Sequence, residues 1–173
     1  MANFILVPGA WHGGWWYQPV VDALERAGHR AHAVTLLELD PAAHDAVHPT
    51  GDRPINLDDH IDQLKAEVEH FAGTERVVLV GHSYAGMVIT AVADHLPERV
   101  EALVYLDADV PDDAESCWSL APPQIRDSLI EGASGDGVTI APLPFFDERA
   151  RPHPLATVVQ AVRLTGAWKQ IPV

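Results

Sequence analysis

The sequence predicts a single α/β domain in which helices cover both faces of a mostly parallel β-sheet. Two observations support this fold class. Short apolar runs, typical of buried strands, alternate along the chain with amphipathic segments that are typical of helices. The chain has 173 residues and 47% of them are apolar, which suits one domain that buries roughly 70% of its unfolded surface. We therefore expect function at the carboxyl ends of the strands, where such sheets bind ligands.

The first strand, the first helix and the second strand follow each other closely. Residues 4–7 form a short apolar run that ends at a Pro-Gly pair, so they predict a strand buried on both faces. Pro19 opens a helical segment, and Gly28 follows as its C-terminal cap. Alternating side chains over residues 30–36 predict the second strand.

Residues 37–55 contain Pro, Gly, Asp and His without a period, and they predict a long surface excursion. Asn56 then caps a helix that carries Asp58 and Asp59 in its first turn, where the helix dipole favours negative charge. The apolar residues of this helix recur at spacings of three and four: Leu57, Ile61, Leu64, Val68 and Phe71. This is the clearest amphipathic pattern in the chain.

The second half of the chain begins with a predicted strand over residues 77–80 and a helix after Ser83. The stretch 101–111 then predicts a strand that ends at Asp107. Beyond Pro111 the order weakens, and we expect short helices and loops there. We divide the chain into a core over residues 1–110, a cap over residues 111–166 and, over residues 167–173, the start of the return to the core sheet.

The charge of the chain limits its partners. Asp and Glu outnumber Lys and Arg by 25 to 11, and no basic run could track phosphates, so we expect neither nucleic acid nor an anionic membrane as a partner. The single cysteine, Cys117, cannot form an intrachain disulfide. The N-terminus has no basic region and only about five consecutive apolar residues, so we expect a cytoplasmic protein without a signal peptide.

Residues 81–86 read Gly-His-Ser-Tyr-Ala-Gly and lie between a predicted strand and a predicted helix. A sharp turn at this position projects a serine hydroxyl into a cleft and aims a backbone N–H at a developing oxyanion. The small residues Gly81, Ala85 and Gly86 make such a turn feasible. We predict that Ser83 is a nucleophile. The alternative is a serine that only caps the following helix.

An acyl-transfer site needs a second oxyanion donor, and the loop after the first strand offers one. Its sequence "VPGAWHGGWW" (7–16) contains glycines that let the backbone approach a ligand. The two donors would then be the N–H groups of Ala10 and Tyr84. The tryptophans of this loop, Trp11, Trp15 and Trp16, either pack beneath it or line an apolar pocket.

These stretches resemble the α/β-hydrolase superfamily, specifically its compact esterase branch, which includes plant methylesterases, hydroxynitrile lyases and many bacterial carboxylesterases. The matching stretches are "LVPGAWHGGW" (6–15), "INLDDHI" (55–61), "VLVGHSYAGMVIT" (78–90), "PERVEALVYLDADVP" (97–111) and "PHPLATVVQAVRLTGAW" (152–168). The resemblance implies an α/β-hydrolase fold with a small cap, Ser83 as the nucleophile, and the amides of Ala10 and Tyr84 as the oxyanion hole. Trp11, His82 and His153 are candidates for the substrate pocket.

Two departures from the family concern the loops. Pro8 stands where the family usually has the histidine of a His-Gly pair, which can shift the loop geometry without removing its backbone donors. Residues 35–53 lack the glycine-rich form that this loop often has, so the family's substrate contacts there do not carry over.

The third departure concerns the catalytic base. In this fold the triad runs in the order nucleophile, acid, histidine, with the histidine after the last strand. We expect two further strand-helix units of roughly 30 residues each after Val173, and with them the usual acid and histidine. Within the chain, Asp107 occupies an alternative acid position, or it caps a loop. His153 is a substitute base or a structural cap residue, and His82 is expected to pack within the turn.

The leading interpretation is a carboxylesterase-type serine hydrolase that cleaves a small ester or lactone through an acyl-enzyme. One alternative is a non-catalytic ligand-binding protein, or a truncated inactive esterase, on the same fold. A hydroxynitrile lyase is a further alternative. We expect no cofactor and no metal, and the edge of the last strand is a site where a homodimer could form.

Overall fold

A computed structural model describes residues 1–42 and 53–173 of the chain. Its main sheet has four parallel strands, in the spatial order β2-β1-β3-β4. These strands are β1 (Asn3–Val7), β2 (Arg30–Ala33), β3 (Val77–His82) and β4 (Val100–Leu106). The parallel sheet with helices between its strands confirms the predicted α/β class.

Helices pack on both faces of the sheet. The helices are α1 (Gln18–Arg26), α2 (Leu57–Ala72), α3 (Ala85–His95), α4 (Cys117–Leu120), α5 (Pro123–Ala133) and α6 (Leu155–Val159), with short 3-10 turns at Gly14–Tyr17 and Ala167–Gln170. The larger core cluster joins α2 and α3 to one face, and the smaller cluster joins α1 to the other. Both faces of the sheet are therefore covered over β1 and β3.

The predicted helix after Asn56 is confirmed as α2. The Asn56 side chain accepts a hydrogen bond from the Asp59 N–H at 3.2 Å, and the Asp59 carboxylate accepts one from the Asn56 N–H at 2.8 Å. This capping box satisfies two N–H groups that would otherwise lack partners at the helix start. The predicted apolar stripe faces the main core.

The second strand is shorter than predicted. It ends at Ala33 rather than at residue 36. The neighbouring β1 ends at Val7, and the next residue, Pro8, has no N–H to donate to β2. The last hydrogen bond between the two chain segments therefore runs from the Val34 N–H to the Leu6 carbonyl, and β2 has no partner in β1 beyond it. The predicted surface excursion over residues 37–55 lies largely outside the described residues.

Beyond Pro111 the chain forms short helices and loops over the carboxyl ends of the strands, together with an antiparallel pair, β5 (Thr139–Ile140) and β6 (His153–Pro154). Each of these strands has two residues, too few for a periodic pattern, so the sequence did not predict them. The boundaries of the cap at residues 111 and 166 stay a prediction.

The end of the chain lies beside β4. The Leu103 N–H donates to the Pro172 carbonyl at 2.9 Å, and the Asp94 carboxylate accepts from the Thr165 N–H at 2.6 Å. Apolar side chains of β4 remain exposed, among them Val104 and Leu106. Across residues 1–42 and 53–173, no helix combines the length and the apolar character needed to span a bilayer.

Candidate active site

Ser83 lies at a strained turn between β3 and α3. Its φ of 52° is in the left-handed region, which costs a non-glycine residue of the order of 1–3 kcal/mol. The Ser83 N–H donates to the Asp107 carbonyl at 3.2 Å, and the Ser83 carbonyl accepts from Gly86 at 3.0 Å and from Asp109 at 3.1 Å. These backbone bonds hold the strained conformation in place.

Two glycines allow the chain to approach this turn closely. A Cβ on Gly86 would lie 1.9 Å from the Asp109 carbonyl oxygen, so only glycine fits. A Cβ on Gly9 would lie 2.8 Å from Nδ1 of His82 and 3.0 Å from Cβ of Ser83. The loop after β1 therefore lies directly against the Ser83 turn, as the neighbouring positions of β1 and β3 in the sheet require.

The backbone N–H groups of Ala10 and Tyr84 have the properties of oxyanion donors. Both residues line one cavity together with Ser83. Tyr84 is the N-cap residue of α3, and N–H groups at a helix start lack intrahelical partners. Within the described ranges, neither N–H donates a hydrogen bond to another protein group. The structure therefore brings together the three groups that an acyl-transfer site requires.

The cavity has a volume of about 680 Å³ and is mostly apolar. Ala10, Ser83 and Tyr84 form what we call the core wall. The other side, which we call the cap wall, comes from α5 and the segment after it and includes Ile125, Ser128, Leu129, Ile140 and Leu143. Trp11 also lines the cavity and lies between the two walls. The site thus suits a small, largely apolar ligand.

His82 and His153, which the sequence offers as candidates for the substrate pocket, are not among the residues that line this cavity. The His82 ring packs against Trp16, with 4.9 Å between the centroids, and burial together with nearby His12 lowers its pKa. His153 is fully buried beside Tyr84, with 4.6 Å between the rings, and its Nε2 donates to the Thr157 hydroxyl at 2.9 Å. Burial holds the pKa of His153 well below its usual range. Both histidines are packing residues behind the turn.

Asp107 lies at the end of β4, also with a left-handed φ of 45°. Its backbone carbonyl supports the Ser83 turn, whereas its exposed carboxylate forms no hydrogen bond with a histidine in the part of the chain that the structure describes. Its role as an acid stays a prediction. Over the same residues, no side chain forms a hydrogen bond with the Ser83 hydroxyl.

The sequence did not single out two buried histidines near the site. His60 Nε2 donates to the Leu37 carbonyl, so its Nδ1 accepts from the Tyr84 hydroxyl at 3.0 Å. Burial lowers the pKa of His60 to about 4, which keeps the ring neutral for this role. His12 donates from Nδ1 to the Ala10 carbonyl at 2.8 Å. Both residues lie in stretches that carry the family resemblance, and this was the signal in the sequence that could have identified them.

Metal binding has no support in the described residues. No group of three or more His, Cys, Asp or Glu side chains lies close enough together there to hold an ion.

The chain belongs to the alpha/beta hydrolase family, whose sequence profile matches residues 4–173. It is 42% identical over 136 residues to the carbendazim hydrolyzing esterase of Nocardioides sp. (strain SG-4G), covering 76% of this chain and 54% of that protein. It is 32% identical over 137 residues to the alpha-hydroxynitrile lyase of Arabidopsis thaliana, covering 78% of this chain and 48% of that protein. The chain thus spans about half the length of these relatives.

Solved structures share the fold. An extracellular alpha/beta-hydrolase from a Paenibacillus species superposes with a TM-score of 0.79 at 20% identity, covering 99% of this chain and 74% of the other. A pyrethroid hydrolase from Sphingobium faniae JZ-2 gives a TM-score of 0.70 at 21% identity, covering 99% of this chain and 75% of the other. These likenesses confirm the α/β-hydrolase fold that the sequence resemblance implies.

Proposed function

We propose that the protein is a carboxylesterase-type serine hydrolase that cleaves a small ester or lactone. The observation that carries this proposal is the strained turn at Ser83. Ser83 lines an apolar cavity together with Ala10 and Tyr84, whose backbone N–H groups have no hydrogen-bond partner in the described residues. The Ser83 oxygen attacks the ester carbon while its proton passes to a base. The tetrahedral intermediate then expels the alcohol, and water hydrolyses the acyl-enzyme that remains. The N–H groups of Ala10 and Tyr84 stabilise the oxyanion of both tetrahedral intermediates.

The base that accepts the Ser83 proton is proposed to lie outside residues 1–42 and 53–173. Of the described histidines near the turn, His82 packs on Trp16 and His153 bonds Thr157, and neither forms a hydrogen bond with the Ser83 hydroxyl. Losing one member of a triad leaves roughly 10³- to 10⁴-fold acceleration over water from the oxyanion hole and from binding. A diffusible base should therefore restore part of the missing rate.

Imidazole rescue tests this function. Hydrolysis of 4-nitrophenyl butyrate by the 173-residue chain should rise with imidazole concentration, after subtraction of the imidazole reaction in buffer. Ser83→Ala should remove the protein-dependent part of the rate, because it removes the nucleophile. A protein-dependent rate that is the same in Ser83→Ala would contradict the assignment of Ser83.

The second candidate is a ligand-binding protein on the same fold. One observation favours it: the described residues form the cavity, but none of their side chains forms a hydrogen bond with the Ser83 hydroxyl. This function predicts that acetophenone, a planar ketone that fits an apolar cavity, binds to the chain while ester hydrolysis stays at the buffer rate with and without imidazole.

A further inference from the structure

Trp11 connects the core wall to the cap by two hydrogen bonds. Its indole N–H donates to the Ile140 carbonyl on β5 at 2.8 Å, across 129 positions of sequence. Its own carbonyl accepts from the Arg151 N–H at 2.9 Å. The side chain and the backbone of one residue are thus both bound to the cap.

Trp11 also packs against both hydrophobic clusters that meet at the cavity. It contacts the main core under the sheet and the cap cluster of Leu129, Ile140 and Val158. The Phe146 ring lies 5.6 Å from the indole, between ring centroids. A side chain held at this many points has little freedom to change its rotamer.

The backbone of Trp11 is strained, with a φ of 68°. A left-handed conformation at a tryptophan persists only where its surroundings impose it. The residue immediately before it is Ala10, which lines the cavity and whose carbonyl accepts a hydrogen bond from His12. If Trp11 relaxed to a negative φ, the Ala10–Trp11 peptide would rotate and the Ala10 backbone would move with it.

We propose that Trp11 is a positioning residue that aims the Ala10 N–H at the oxyanion by binding the loop after β1 to the cap. The inference rests on the proposed function, since it gives the oxyanion hole a structural dependence on the cap. Displacement of the cap, which carries Ile140, releases the indole, and the oxyanion hole loses one of its two donors. If Trp11 has this role, substituting it should weaken the binding of a tetrahedral ligand much more than the binding of a planar one.

Two ligands separate this role from ordinary packing. Phenylboronic acid forms a bond between the Ser83 oxygen and boron, the hydroxyl proton leaves to solvent, and the tetrahedral boronate places an oxygen in the oxyanion hole. Acetophenone fills the same cavity without becoming tetrahedral. Both affinities can be measured by isothermal titration calorimetry, without turnover.

The test variant is Trp11→Phe, which removes the indole N–H and keeps an aromatic ring. It should weaken phenylboronate binding about 10-fold, because a misplaced donor is costly in a preorganised site. Acetophenone binding should stay within about twofold. The matched control is Trp118→Phe in the cap, whose indole N–H has no hydrogen-bond partner in the described residues; it should change neither affinity by more than about twofold.

Other outcomes overturn the inference. Equal weakening of both ligands in Trp11→Phe means that Trp11 is only a wall of the cavity, and no change means that the Ile140 contact has no role. If Trp11→Phe does not fold, 3-benzothienylalanine at position 11 removes the N–H while preserving the ring shape, and the same predictions apply. Ser83→Ala checks the proposed function separately, because unchanged phenylboronate binding in that variant would refute Ser83 as the attacking group.

Discussion

The core wall and the cap wall of the cavity are held by different forces. Ser83 in the core wall has a strained φ, backbone hydrogen bonds on both sides and a neighbouring Gly86 that leaves no space for a Cβ. The cap wall has side-chain packing around Leu129 and Ile140, with hydrogen bonds at the β5–β6 pair and from Trp11, and it is partly open to solvent. Ile125 is 50% exposed, although it lines the cavity.

This difference assigns separate tasks to the two walls. A reacting group needs one fixed geometry, which steric and backbone constraints provide. Recognition of an apolar group tolerates variation, because apolar contacts have little directional preference. We therefore expect changes in the core wall to affect the chemistry and the folding of the protein, and changes in the cap wall to affect substrate binding.

The largest expected difference compares a serine from each wall. In buffer that contains imidazole as the base, Ser83→Ala should remove nearly all of the imidazole-dependent kcat/KM for a small ester, since no nucleophile remains to be activated. Ser128→Ala makes the same chemical change in the cap wall and should alter kcat/KM by less than about threefold. Steady-state kinetics of both variants measures this contrast, and comparable losses in the two would remove the distinction between the walls.

Two glycines provide the corresponding contrast in stability. Gly86→Ala should lower the free energy of unfolding by about 3 kcal/mol or more, because its Cβ would overlap the Asp109 carbonyl oxygen. Gly135→Ala in the cap meets no atom within 4 Å and should change stability by less than about 0.5 kcal/mol. Urea unfolding followed by circular dichroism measures both values. A stable Gly86→Ala protein would contradict the close packing at the turn.

The buried histidine behind the core wall should make folding sensitive to acid. His60 has a pKa of about 4 in the folded protein and 6.5 as its ordinary value. Between these values the unfolded state binds a proton that the folded state does not, so stability rises with pH. The contribution is fully present above about pH 6.5 and is lost as the pH falls through about 4. Its size is of the order of 3 kcal/mol.

The variant His60→Gln isolates this contribution. It keeps a side chain that can hydrogen-bond to Tyr84 but cannot titrate, so the decline in stability between pH 7.5 and pH 5 should become shallower than in the unsubstituted protein. Urea unfolding at both pH values provides the comparison. Parallel pH profiles for the two proteins would mean that His60 is not neutral and buried as the structure places it.

The smallest expected effect is in the cap wall. Ile125→Ala should raise KM several-fold for an ester with a long acyl chain while kcat changes by less than about twofold, because one apolar contact of this kind contributes only about 1–3 kcal/mol to discrimination. Stability should change little, since the side chain is half exposed. An acetyl ester serves as the control substrate, and an equal rise in its KM would contradict a role in chain-length selection.

Features set by neighbouring residues in the sequence were predictable. The Ser83 turn depends on small residues within a few positions, and α2 depends on its own cap and spacing. The early end of β2 was not predictable, because it is caused by Pro8, which directly follows the neighbouring strand β1. The bond between Trp11 and Ile140 joins residues 129 positions apart, and only the folded chain brings them together.

The most direct test of the central claim is the intact mass of the protein before and after exposure to a fluorophosphonate probe, in buffer that contains imidazole as the base. The probe modifies an activated serine, with loss of fluoride as the oxygen–phosphorus bond forms. The account predicts one adduct on the unsubstituted chain and none on Ser83→Ala. The absence of an adduct on the unsubstituted chain, or an adduct that persists in Ser83→Ala, would contradict Ser83 as the nucleophile.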